Sequence, residues 1–164
     1  MSRIVTTVAG ALVWFAVVFG IYVVAHGHLT PGGGFQGGAV LASAVALILV
    51  AHGREITEKL LLKKKEGLSL FESVGLLGFI GLGFAGLGAT FFYNLLAGRG
   101  GLFGNPVPPG INPGDLNTAG VLPLMNLTVG LEVLCGLSLV VLFMLWGLEQ
   151  DFGAGEGGQG GGNR

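Results

Sequence analysis

The sequence predicts an all-α polytopic membrane protein, with four transmembrane helices and a glycine-rich irregular segment between helices one and two. Three observations predict it. Hydrophobic residues make up 51% of the 164-residue chain and charged residues only 10%, where a soluble domain carries about a quarter charged. The apolar residues are gathered into four long runs rather than spread with the periodicity of an amphipathic surface. All the charges but Glu132, and all the prolines but Pro123, fall outside these runs.

The first run, residues 4–25, has 22 residues and spans about 33 Å as a helix. It is too long for a signal-peptide core and lacks a good small-residue cleavage pattern, so it reads as a retained span. The second, residues 35–51, is shorter and opens with Gln36, Gly37 and Gly38. The third covers residues 73–97 and the fourth residues 120–148. Residues 53–71 interleave Arg54, Lys59 and Lys63 to Lys65 with Glu55, Glu58 and Glu66. Glu55 and Lys59 form an i, i+4 pair in the favourable order, which suits a short surface helix. Residues 98–119 hold Asn105-Pro106, Pro108-Pro109-Gly110 and Asn112-Pro113-Gly114, turn chemistry without periodicity. Residues 1–150 therefore read as one four-helix transmembrane domain, and residues 151–164 as a glycine-rich disordered tail.

Basic residues set the expected orientation. With both termini on one side, that side carries Arg3, Arg54, Lys59, Lys63, Lys64, Lys65 and Arg164, and the other carries only Arg99. This asymmetry predicts cytoplasmic termini and a cytoplasmic basic loop. Other classes fall away. A net charge of −1 gives no electrostatic footprint for nucleic acid. The single cysteine, Cys135, and the absence of Cys/His spacings argue against a metal centre. No nucleophile set or cofactor cradle is present, so no catalytic residue, cofactor or metal is assigned.

Residues 26–38, His-Gly-His-Leu-Thr-Pro-Gly-Gly-Gly-Phe-Gln-Gly-Gly, are the most unusual in the chain. Pro31 lacks a backbone donor, and Gly27, Gly32, Gly33, Gly34, Gly37 and Gly38 have little conformational preference, so no regular helix is expected through them. The bland reading is a tight turn between spans. The sharper one is a segment whose backbone lets a ligand, an ion or another helix come very close, since irregular backbone at membrane depth is tolerated where it lines a watery cavity. Phe35-Gln36 stands where a P-loop needs Gly-Lys-Ser/Thr, and a membrane run stands where a dinucleotide fingerprint needs a strand.

This segment, with an apolar span on each side, closely resembles the signature of the MnhB/MrpB family, the B subunits of multisubunit Mrp-type sodium/proton antiporters. The chain's size, its four spans, and Asn126 and Glu132 in the fourth agree with that family. The resemblance implies a multi-pass subunit of a prokaryotic plasma membrane, in contact with the bilayer and other membrane subunits of a hetero-oligomer. It implies Na+ and H+ as the transported ions. Family members also occur in archaeal membrane-bound hydrogenases and their sulfur-reducing relatives, so the parent complex stays open, as does a purely structural role.

Within the spans, Glu132 is the main ion-path candidate, because a carboxyl near mid-membrane marks an ion path or pairs with a partner. Asn126 and Thr128 lie one to two turns away and join it; the Asn126-Leu127-Thr128 match to a glycosylation sequon is chance. His26 and His28 end the first span. Two positions apart, they would point to different helix faces, so they are not a ready metal pair, and proton passage is their sharper reading. Glu72 reads as capping the third span beside Ser73, and His52 as an interface residue. Gly78, Gly81, Ala85 and Gly88 form a small-residue stripe for close helix contact. The glycine segment is expected to fold inward over residues 32–38 and to meet Glu132 in a hydrated recess.

Overall fold

The computed structural model describes residues 3–29, 31–85, 90–96 and 119–157, with side chains left undescribed at 54–58, 60–64 and 148–157. Four helices follow in order: α1 (Arg3–His26), α2 (Gly34–His52), α3 (Arg54–Phe84) and α4 (Leu122–Gly157). Each contains a stretch long and apolar enough to cross a membrane: all of α1 and α2, Lys65–Phe84 of α3 and Leu122–Gly147 of α4. The protein is a multi-pass membrane protein. No strand occurs among the described residues.

Helices α2 and α4 form the central pair and run parallel, while α1 packs against α2 and α3 against α4. Glycines decide these contacts, because apolar burial supplies no driving force between helices in lipid and close backbone approach has to replace it. A Cβ at Gly38 would lie 2.7 Å from the Gly130 carbonyl and 2.9 Å from Val133 Cβ, and one at Gly34 would strike the Asn126 carbonyl. Gly34, Gly38 and Ala42 thus lay a small-residue strip along α4. On the neighbouring face of α2, Gly37 meets Val24 and the Gly20 carbonyl, and Gly20 meets Leu41. Away from the glycine segment, Leu49 and Leu142 are fully buried together, with Val45, Leu68, Val141 and Leu145 around them.

Three element boundaries differ from those expected. The charged stretch 53–71 is not a separate surface helix: a single residue, Gly53 (φ 69°), turns the chain out of α2, and α3 then runs unbroken from Arg54 to Phe84. No proline interrupts residues 54–71, and their one glycine, Gly67, costs only about 1 kcal/mol against alanine. Glu72 is therefore mid-helix and caps nothing. At its far end α3 stops at Phe84 rather than residue 97. The chain folds back so that the Phe92 N–H donates to the Gly83 carbonyl at 2.9 Å, with Phe92 at φ 60°. Phe91 and Phe92 pack edge-on to each other, Phe91 against Phe84 and Phe92 against Phe79. A Cβ at Gly83 would lie 3.1 to 3.3 Å from those rings, so its absence makes room for the fold-back. Finally, α4 continues to Gly157, into the expected tail.

Beyond the fold-back, Asn94 clasps the start of α4. Its Nδ2 donates to the Ala119 carbonyl at 3.0 Å, and its Oδ1 accepts from the Val121 N–H at 2.8 Å. This one side chain thereby joins the fold-back after α3 to the residues that lead into α4.

Candidate ion site at the α3–α4 seam

The seam between α3 and α4 alternates glycine and polar side chains. Gly78 faces Thr128, where a Cβ would lie 3.0 Å from Thr128 Cγ2. One turn along, Gly75 faces Glu132, at 2.9 Å from its N and 3.0 Å from its Cβ. One turn further, Gly136 on α4 faces Glu72 on α3, with Glu72 Oε1 2.9 Å from the position of a Cβ. Three successive levels thus carry Thr128, Glu132 and Glu72, each opposite a glycine of the other helix. Both acids are part-buried. A carboxylate at the bilayer centre costs on the order of 3 kcal/mol or more, so groups of this kind face protein or a watery cavity and mark function or pairing. The Thr128 hydroxyl donates to the Met125 carbonyl of its own helix at 2.9 Å, so its proton is already engaged.

The glycine segment meets different residues. Residues 34–38 are the first turns of α2, so the irregular backbone ends at Gly33 rather than folding inward over 32–38. Gly32 (φ 157°) and Gly33 (φ 122°) supply backbone conformations that other residues rarely adopt, and the helix begins directly after them. Asn126, not Glu132, lies at this turn. Its Nδ2 is 2.9 Å from a Cβ at Gly27, and its Oδ1 is 3.5 Å from one at Gly33, where Gln36 Oε1 also converges at 3.7 Å. The physical reason is helical phase: Asn126, Gly130 and Val133 share the α4 face toward α2, while Thr128 and Glu132 share the face toward α3. Among the described residues the glycine segment therefore meets Asn126, and no recess joins it to Glu132.

His26 Nδ1 lies 3.3 Å from the Tyr22 carbonyl, and its ring stacks on Tyr22 at 4.2 Å between centroids. Both ring nitrogens of His28 are shielded from solvent without a hydrogen-bond partner among the described residues. The exposed Phe35 points away from the bundle, as does Pro31. His52 sits exposed at the end of α2, its Nδ1 3.1 Å from the Ile48 carbonyl. In the small-residue stripe, Gly78 packs on α4 but Gly81 has nothing within 4 Å, Ala85 is exposed, and Gly88 lies outside the described residues. Gly75, which the stripe omitted, makes the tightest of these contacts.

Among the described residues no three His, Cys, Asp or Glu side chains group as a metal site. A cavity of about 390 Å³ between α1, α2 and α4 is lined by apolar groups including Ile21, Val24, Leu41, Leu127, Leu131 and Leu134. Its lining side chains offer an ion no ligand, whereas the α3–α4 seam carries two carboxyls and a hydroxyl.

Comparison with known proteins bears on what such a seam serves. Residues 4–139 match the model of a domain related to the MnhB subunit of Na+/H+ antiporter. The chain belongs to the MnhB family. It is 40% identical over 124 residues to an uncharacterised protein of Methanocaldococcus jannaschii, covering 74% of this chain and 44% of that protein. It is also 40% identical over 58 residues to Staphylococcus aureus proteins named provisionally as antiporter subunit mnhB2, covering 35% of this chain and 41% of theirs. The chain spans less than half the length of these relatives.

Proposed function

We propose that this MnhB chain is a membrane subunit of a multisubunit sodium/proton antiporter module, where it helps build the ion path and holds neighbouring subunits in place. The observation that carries the reading is the family match over residues 4–139, which takes in α1 from Ile4 onward, all of α2 and the whole seam with Glu72, Thr128 and Glu132. Glu132 holds a proton or helps coordinate a cation at mid-membrane. Asn126, at the glycine turn, and the two histidines belong to the entrance on the outer side. Both termini and Lys63 to Lys65 face the cytoplasm, in keeping with the basic asymmetry. The other membrane subunits supply the rest of the path, since one chain with so few intramembrane polar groups has little of the paired half-helix machinery of a carrier.

A scaffold role is the second reading, favoured by the close packing at Gly75 and by the Thr128 hydroxyl bonding to its own helix. The family resemblance keeps a further host in view, an archaeal energy-converting respiratory complex such as a membrane-bound hydrogenase or sulfur reductase built around the same module. Mass spectrometry of subunits co-purifying with the tagged chain identifies the host. Antiporter subunits in that preparation support the first reading; recovery of this chain by itself overturns it.

A further inference from the structure

Glu72 is an acid within a membrane span, and its surroundings in this chain leave it open on one side. Its carboxyl reaches the rim of the α3–α4 seam at Gly136. Leu76, one turn from Glu72 on α3, is 46% exposed, and Val140, one turn from Gly136 on α4, is 53% exposed. Of the four spans, the one in α3 has the smallest share of its length buried. Among the described residues Glu72 has no hydrogen-bond or ion-pair partner. The nearest basic residue along its own helix, Lys65, sits two turns away at the membrane edge, Arg3 stands at the very end of the first span, and the other lysines and arginines of the sequence lie outside the spans. Intramembrane acids pair with an opposite charge or face a watery cavity rather than lipid. Among the described residues, no positive charge meets the open rim at Glu72.

We infer that the rim of Glu72, Leu76 and Val140 is an interface for a transmembrane helix of another subunit, one that presents a lysine or arginine to the Glu72 carboxylate. The inference rests on the chain's being a complex subunit, as proposed above, and adds to it which face is covered and by what chemistry. The occupant is fixed by charge complementarity: lipid tails and a second copy of this chain both lack a mid-span cation. A flanking exposed leucine and valine give the helix an apolar seat around the ion pair. The role is separate from that of Glu132, whose backbone and Cβ sit against Gly75 inside the seam.

The test uses the intact complex in its native membrane, with a photo-crosslinking residue in place of Leu76. Adducts should fall on a membrane helix of a second subunit, within two turns of a Lys or Arg. Glu72→Gln should lower the adduct yield several-fold. Glu72→Lys should abolish it, and reversing the partner's basic residue to Glu should restore it. An intact complex with Leu76 adducts on lipid alone, or on a helix without a basic residue in its span, overturns this inference and leaves the proposed function standing. A chain recovered without other membrane subunits overturns both.

Discussion

Glu72 on α3 lies against Gly136 on α4, its Oε1 2.9 Å from where a Cβ would stand. One turn away the arrangement is reversed, with Gly75 on α3 against Glu132 on α4. The two glycines nonetheless differ in what they protect. At Gly136 the obstacle is the far end of a flexible side chain, whereas at Gly75 it is the Thr128 carbonyl and the Glu132 backbone nitrogen, which cannot swing aside.

A pair of alanine substitutions separates these cases. Gly75→Ala should destabilise the helix pair by about 1–3 kcal/mol, the usual cost of overpacking. Gly136→Ala should cost less than about 1 kcal/mol, because Glu72 can move and alanine favours the helix. Thermal unfolding of the purified proteins in detergent would rank them, and equal losses would mean that the seam is looser than the contacts indicate. Gly81→Ala, in open space, is the neutral control.

The α2–α4 contact gives a sharper prediction. Gly38→Val places a branched side chain where even a Cβ would be 2.7 Å from the Gly130 carbonyl. The central pair should separate, and the chain should be lost from the membrane fraction or degraded. Wild-type yield and stability from this variant would refute the parallel α2–α4 packing.

Asn94 makes two hydrogen bonds that tie the α3 fold-back to the first turn of α4. Asn94→Ala should cost about 1–3 kcal/mol by stranding a part-buried N–H and carbonyl. Limited proteolysis should then cut faster between α3 and α4. Asn94→Asp retains the acceptor for the Val121 N–H and should recover part of the loss.

Much of this architecture is legible in the sequence, for reasons that also show where reading fails. Four long apolar runs, the second of them short for a span, announce four spans. What breaks a helix is also local, so the turn at Gly32 and Gly33 is visible in Pro31 and its glycines. The joining of residues 54–64 to the third span is harder to see, because the charges suggested a separate surface helix although no proline or glycine pair enforces a break. That is why Glu72 read as a cap instead of a seam residue. The lateral order of helices is a tertiary property that one chain's periodicity does not encode. Helical phase separates Asn126 from Glu132, but only the packing shows that one faces α2 and the other α3. Gly75, facing Glu132, could have been found by asking which glycine on α3 opposes the buried acid in an antiparallel pair.

Orientation is tested by labelling from outside in a Cys135→Ala background. A cysteine introduced at Asn112 should react with an impermeant maleimide in intact cells, and one at Lys64 only after the membrane is opened. The reverse pattern would invert the inner and outer faces assigned to the histidines and the basic stretch.

The central claim is that Glu132 serves ion movement in a complex of membrane subunits, and Glu132→Gln tests it most directly. The amide keeps the shape of the side chain and its place against Gly75 while removing the group that takes up a proton. Wild-type and variant complexes, matched for subunit composition by mass spectrometry, would be reconstituted in vesicles and assayed for sodium-driven proton movement. The account predicts an assembled complex with coupled transport reduced several-fold or more. Full coupled transport from a normally assembled Glu132→Gln complex would contradict it and leave the α3–α4 seam a packing surface.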